Sequence, residues 1–143
     1  MTILRYAAIA AVCATAAHAE GAHITPYDGT FEDAAFAVET AIVNQGLVVD
    51  FVSHVGEMLA RTGEDVGSDV KLFEEADIFV FCSAVVSREV MEADPMNVAQ
   101  CPYGIFVAER DGEVMVGYRD FPEGPMDAVE TLLSGIVEEA VGM

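Results

Sequence analysis

Two amphipathic helices give the strongest pattern of apolar and polar positions along the chain. The first is predicted to begin after the cap residue Thr30 and to end at Gly46, because the apolar residues between them recur at helical spacing. The second lies between Pro125, which suits a helix start, and Gly142, which suits a helix end. Each helix has one apolar face, and such a face must pack against a second layer.

The clearest strands form a hairpin. The segments Tyr103–Arg110 and Glu113–Arg119 each place apolar residues at alternate positions, and only Asp111 and Gly112 separate them. An Asp-Gly pair in this position predicts a two-residue type I′ turn. This hairpin indicates that the sheet is largely antiparallel, and it argues against a doubly wound parallel sheet.

A further strand is predicted from Leu47 to Val55. Simple alternation places Val49, Phe51 and Val55 on one face and Asp50 and His54 on the other. A short helix, 56–63, and an acidic loop, 64–69, are expected to follow it.

Three other segments complete the sequence of elements. The segment Ala22–Tyr27 suits an edge strand, because Pro26 cannot donate to a central ladder. The run Ile78–Phe81 is continuously apolar, as expected of a strand covered on both faces. Ser83 can cap a helix that reaches residue 93, and residues 96–102 are predicted to form a loop. The elements together predict one α+β domain over residues 20–143, a two-layer sandwich whose mostly antiparallel sheet is covered by two long helices.

The first 19 residues are predicted to be a secretory signal peptide. Arg5 precedes an apolar run from Tyr6 to Ala17, and the small residues Ala17 and Ala19 fit a cleavage site after Ala19. The run is too short for a membrane-spanning helix, which needs about 20 apolar residues. We therefore expect a periplasmic or secreted protein, without stable insertion in a membrane.

Charge excludes several classes of partner. The chain has 25 acidic and 6 basic residues, a net charge of −19, and cleavage would also remove Arg5. A protein that binds the phosphate backbone needs a basic face, so we expect no nucleic-acid partner. A basic protein partner or a small-molecule ligand remains compatible with this surface, although acidic side chains also serve solubility alone.

Cys82 and Cys101 are the main candidates for chemistry. Their spacing excludes a Cys-x-x-Cys redox motif, and three interpretations stay open. A disulfide suits an oxidising compartment, and two buried free thiols are equally compatible with the pattern. A reactive thiolate is less favoured, although Cys82 stands just before a predicted helix start, because the acidic surroundings disfavour ionisation.

Weaker ligand candidates are His54, Met91 and Met96. Together with the two cysteines they would offer the soft ligands that copper prefers, but they form no spaced motif. The identity of any metal is therefore left unknown, and core filling is the simpler role for most methionines. The chain contains no phosphate-binding loop, dinucleotide fingerprint or nucleophile-elbow motif, so we expect no cofactor and no catalytic residue of those classes.

Several short segments combine into a family resemblance. They are, in order, Gly46 before the strand Leu47–Phe51, Phe81-Cys82 at a strand end, Glu92-Ala-Asp-Pro95, Cys101-Pro102 before a strand, and the turn Asp111-Gly112. In this order they resemble the domain of unknown function 302 family. Ser83-Ala84 departs from one common form, in which a polar residue and proline follow the cysteine position. The resemblance implies a compact α/β domain, often a homodimer, with no general activity.

Two classes of function follow from the sequence. The first is an exported, non-enzymatic binding or accessory protein with an unknown ligand. The second is a thiol-dependent redox enzyme or sulfur carrier that uses Cys82 or Cys101. The absence of a catalytic motif favours the first class.

Overall fold

The structure, a computed structural model, describes residues 21–142. The strands are β1 (Ala22–Tyr27), β2 (Val49–Ser53), β3 (Glu75–Phe81), β4 (Tyr103–Arg110) and β5 (Glu113–Arg119). The α-helices are α1 (Phe31–Asn44), α2 (Val55–Thr62), α3 (Ala84–Ala93) and α4 (Asp127–Val141). Short 3₁₀ helices cover Glu64–Val66 and Pro95–Gln100.

The five strands form one antiparallel sheet in the order β1-β5-β4-β3-β2. The proline-bearing strand β1 lies at an edge, as predicted. The two long helices, α1 and α4, contact each other and pack on one face of the sheet. The predicted α+β sandwich of an antiparallel sheet and two long helices is therefore confirmed.

The core lies between the helix pair and the sheet face that carries Phe79, Phe81 and Ile105. These side chains are at most 4% exposed. The helices contribute apolar residues at the predicted spacing, and Leu133 and Ile136 of α4 are fully buried. The helix layer and the sheet thus bury one common core, as their separate apolar faces require.

Both predicted helix caps are present. The Oγ1 atom of Thr30 accepts a hydrogen bond from the backbone N–H of Asp33 at 3.1 Å. The Oγ atom of Ser83 accepts one from the N–H of Val86 at 3.3 Å. Because Ser83 fixes the start of α3, it also fixes the backbone next to Cys82.

The face assignment of β2 was wrong at Phe51. A β-bulge lies between Val49 and Phe51, so the alternation shifts at Asp50. Val49 and Val52 contact the core, whereas Phe51 pairs with Val80 on the opposite face and is 56% exposed. Val55 was also misassigned, because the strand ends at Ser53 and Val55 begins α2.

Other segments also differ from the sequence prediction. Strand β2 begins at Val49 instead of Leu47, and α2 spans Val55–Thr62 instead of 56–63. Strand β3 begins at Glu75, earlier than the apolar run that signalled it, because a strand needs no apolar residue at its exposed end. The predicted loops 64–69 and 96–102 contain the two 3₁₀ helices. The second of these begins at Pro95, and the side chain of Asp94 accepts a hydrogen bond from the N–H of Met96 at 2.9 Å. Proline followed by this local cap favours a helical turn over an irregular loop.

The turn between β4 and β5 has the predicted geometry, with φ values of 56° at Asp111 and 78° at Gly112. We expect the substitution Gly112→Val to reduce the free energy of unfolding by about 1 kcal/mol or more, because a β-branched residue is strained at positive φ. Urea unfolding of both proteins measures the change. An unchanged midpoint would contradict this account of the turn.

The predicted signal peptide lies outside the described residues. No helix in residues 21–142 is both long and apolar enough to span a membrane.

Candidate functional site

The two cysteines meet at one end of the sheet. Cys82 directly follows β3, and Cys101 stands two residues before β4, whose first residue, Tyr103, pairs with Phe81. The antiparallel register therefore brings the cysteines together across 19 residues of sequence, and their Sγ atoms are 3.1 Å apart as free thiols. A disulfide has a bond length of about 2.05 Å, so the sulfurs must approach by about 1 Å to form one.

The two thiols differ in their access to solvent. Cys82 is exposed, whereas Cys101 is half-buried and packs against the core. A molecule arriving from solvent therefore reaches the sulfur of Cys82 first. Cys101 lies on the core side of Cys82, where its sulfur can react with the Cys82 sulfur.

Two hydroxyl groups support the pair from the core side. The Oγ atom of Ser87 lies 3.1 Å from the hydroxyl of Tyr103 and 3.9 Å from the Sγ atom of Cys101. Tyr103 is 1% exposed, so this hydrogen bond gives a partner to its buried hydroxyl. Burial raises the pKa of the Tyr103 phenol, which therefore stays protonated at neutral pH.

The thiol of Cys82 is a weak acid in the folded protein. Partial burial of the sulfur, the hydrogen bond and charge of Cys101 and the charge of Asp50 together raise the pKa of Cys82 to about 11. A hydrogen bond with the backbone N–H of Tyr103 offsets part of this increase in the pKa of Cys82. Cys82 is therefore held mainly as a protonated thiol near pH 7.

We expect the alkylation of Cys82 by iodoacetamide at pH 8 to be about tenfold slower in the native than in the unfolded protein. The raised pKa reduces the thiolate fraction roughly a hundredfold, and the greater nucleophilicity of a more basic thiolate restores part of the rate. The native rate should keep rising towards pH 11, since a raised pKa shifts the titration upwards. Alkylation rates of the Cys82 peptide in the reduced wild-type protein, measured by mass spectrometry, test this, because Cys101 contributes to the raised pKa and must remain. A plateau near pH 9 would contradict it.

His54 lies away from the cysteines. Its Nδ1 atom is 2.7 Å from the Oδ1 atom of Asp77, whose side chain is 17% exposed. Asp77 precedes Cys82 by five positions along β3, a distance of roughly 16 Å at the usual rise per strand residue. The structure thus gives His54 a carboxylate partner and does not bring it to the sulfur pair.

The two methionine candidates lie on different elements and differ in exposure. Met91 is half-buried on α3 beside an open hollow that Ser87 and Arg88 also line. Met96 is 71% exposed on the second 3₁₀ helix. Within residues 21–142, no three His, Cys, Asp or Glu side chains cluster closely enough to hold a metal ion.

A small hollow lies beside α2. It lies between α2 and the segment that follows, is lined mainly by apolar side chains including Leu59 and Phe73, and has a volume of about 140 Å³. Pockets for drug-sized ligands usually measure about 300–1,000 Å³. This cavity therefore does not favour the small-molecule hypothesis.

Sequence reasoning missed three residues around the cysteines. Tyr103 and Ser87 were read only as parts of a strand and a helix, although Ser87 lies one turn after Ser83 and Tyr103 two residues after Cys101. Asp50 reaches the vicinity of Cys82 because of the bulge, which no local signal reveals. Ser87 and Tyr103 could have been identified from their spacing to Ser83 and Cys101 once the two cysteines were known to be neighbours.

The architecture defines a class of small α+β domains with an antiparallel sheet and one helix layer. The family model "Domain of unknown function DUF302" matches residues 23–140, and the chain belongs to this family. A search of the curated proteins finds no match.

Among solved structures, the chain is similar to an uncharacterized conserved DUF302 protein from Bacillus stearothermophilus. The TM-score is 0.58 and the sequence identity is 17%, over 87% of this chain and 90% of the other. At this identity the likeness supports the fold alone. The family and the fold are therefore established, and neither assigns an activity to the cysteine site.

Proposed function

We propose that the protein is an exported accessory protein whose chemistry is the reversible conversion of Cys82 and Cys101 between a dithiol and a disulfide. The observation that carries this proposal is the 3.1 Å separation of the two sulfurs. The exposure of Cys82 supports it, because thiol–disulfide exchange needs direct access to a sulfur atom. The predicted signal peptide supports an oxidising compartment, where such a pair can be oxidised.

The same site argues against a fast nucleophilic enzyme or a sulfur carrier. Catalytic cysteines usually sit where neighbouring cations or helix ends lower the thiol pKa. Burial, Cys101 and Asp50 instead raise the pKa of Cys82 to about 11. We therefore propose slow exchange that sets the redox state of this protein, rather than rapid turnover of a substrate.

Equilibration with glutathione buffers tests the proposal. The purified mature protein would be held at several ratios of reduced to oxidised glutathione, and its free thiols would then be counted after denaturation. We expect two thiols per chain under reducing conditions and none under oxidising conditions, with the protein remaining free of intermolecular disulfides. Two thiols that persist under oxidising conditions would overturn the proposal.

The single variants Cys82→Ser and Cys101→Ser provide the matched controls. Each should retain one thiol and form only a mixed disulfide with glutathione. Mass spectrometry should show this adduct mainly in Cys101→Ser, where the exposed Cys82 remains. Equal modification of both variants would show that access does not decide which cysteine reacts first.

Export itself is tested by the N-terminus of the mature protein. We expect cleavage after Ala19, because Ala17 and Ala19 form a small-x-small pattern after the apolar run. N-terminal sequencing of protein from the extracytoplasmic fraction measures this. A chain that keeps Met1 would contradict the prediction.

A further inference from the structure

The described domain is strongly anionic overall, although one basic side chain, Arg119, contacts the residue directly before Cys101. Among residues 21–142, four of the five basic side chains lie within 4 Å of a carboxylate, namely Arg61, Lys71, Arg88 and Arg110. The fifth, Arg119, donates a hydrogen bond to the carbonyl of Gln100 and lies over the ring of Phe121, 4.9 Å from its centroid. Most acidic side chains therefore have no basic partner, and the protein's field is negative overall.

Asp50 brings this negative charge to the thiols. The β-bulge in β2 lies opposite the end of β3, next to Cys82, and Asp50 is its extra residue. Asp50 is exposed, and its charge acts directly on the Cys82 sulfur. An approaching anion therefore meets a local carboxylate as well as the field of the whole surface.

We infer that the Cys82–Cys101 pair exchanges preferentially with small disulfides that carry positive charge. This inference rests on the proposed dithiol–disulfide function and names its substrate class. The pair selects by electrostatic attraction during the approach to Cys82. It does not need a shaped pocket at the site.

The exchange proceeds in two balanced steps. The thiolate of Cys82 attacks one sulfur of the incoming disulfide, so a mixed disulfide forms and the first thiolate leaves, taking up the proton that Cys82 released. The sulfur of Cys101 then attacks the Cys82 sulfur of the mixed disulfide and releases the second thiol. In total the protein loses two electrons and two protons, and the incoming disulfide gains them as two thiols.

The test compares small disulfides of different charge with the reduced mature protein. Cystamine is dicationic, hydroxyethyl disulfide is neutral and dithiodipropionate is dianionic near pH 7.5. Each rate is divided by the rate of the same disulfide with 2-mercaptoethanol, because leaving-group acidity alone changes the rates. We expect the normalised rates to fall from cystamine to dithiodipropionate by at least about tenfold at 10 mM salt, where the Debye length is about 30 Å.

Changes in salt concentration and two charge variants separate the contribution of Asp50 to the rate ratio from the contribution of the whole surface charge. At 1 M salt, where the Debye length is about 3 Å, the ratio of the rates should fall to within about threefold. Asp50→Asn should reduce the ratio at low salt. Glu113→Gln removes the same charge at the opposite end of the sheet, beside the β4–β5 turn, and should reduce it much less.

The outcomes distinguish the two proposals. If all three disulfides oxidise the pair at equal normalised rates, the charge preference is wrong and the dithiol–disulfide function stands. If no reagent produces the intramolecular disulfide, the proposed function itself fails. If Glu113→Gln has as large an effect as Asp50→Asn, the selectivity is not located at the bulge, and the assignment to Asp50 is wrong.

Discussion

Oxidation of Cys82 and Cys101 to a disulfide is expected to raise the free energy of unfolding by about 3 kcal/mol. The bridge would close a loop of 19 residues, and a loop of this size removes about that much conformational free energy from the unfolded chain. The native state should tolerate the bond, because the sulfurs already lie 3.1 Å apart. Strain or residual structure in the unfolded chain would reduce the gain.

Urea unfolding of the oxidised and the reduced wild-type protein measures this difference. The double variant Cys82→Ser/Cys101→Ser is the control, since its stability should not depend on the redox buffer. A difference below about 1 kcal/mol between oxidised and reduced wild type would contradict the expectation. It would indicate that closing the bridge distorts the end of the sheet.

Local signals were sufficient to predict most of the fold. The cap at Thr30, the turn at Asp111 and Gly112 and the spacing of apolar residues in α4 each act over a few residues, and each appears as expected. These features are encoded locally because side-chain hydrogen bonds and backbone preferences decide them. Burying the two helices on one face then requires a sheet with an apolar face, but it does not fix the order of the strands.

The bulge in β2 shows where local signals stop being sufficient. Val49-Asp50-Phe51 reads as regular alternation, and the adjacent apolar pair Phe51-Val52 departs from it without marking where an extra residue lies. The structure buries Val49 and Val52 on the same side, because both then contact the core beside Phe79 and Phe81. Tertiary packing thus overrides the period of two, and it brings Asp50 towards Cys82 as a consequence.

The cysteine site was only half predictable for a related reason. The sequence identified both cysteines at element boundaries, and their distance depends on the register of β3 with β4, a pairing between segments about 20 residues apart. Ser87 and Tyr103 acquire their role only once that register is fixed. The Asp-Gly turn predicts the pairing of β4 with β5. No such local signal predicts the pairing of β3 with β4, because α3 and a 3₁₀ helix lie between them in the sequence.

Gly117→Val is expected to destabilise the protein by about 3 kcal/mol, at the upper end for overpacking a well-filled site. Gly117 is buried in β5, between the edge strand β1 and the central strand β4. A Cβ atom there would meet the backbone carbonyl of His23, and it would lie 2.6 Å from Cζ of the Phe106 ring. The ring could move, but the carbonyl belongs to the β1–β5 pairing, so relief requires that pairing to open.

Two further variants make this prediction specific. Gly135→Ala, in α4, has no atom within 4 Å of the added Cβ and should stabilise the protein by about 0.5–1 kcal/mol, because alanine is the better helix former. The cost of Gly117→Val should be almost the same in a Phe106→Ala background as in wild type, since the contact with the His23 carbonyl remains. Urea unfolding of wild type, both single variants and the double variant measures this. If Gly117→Val costs nothing in the Phe106→Ala background, the aromatic ring, and not the edge-strand backbone, makes glycine necessary at this position.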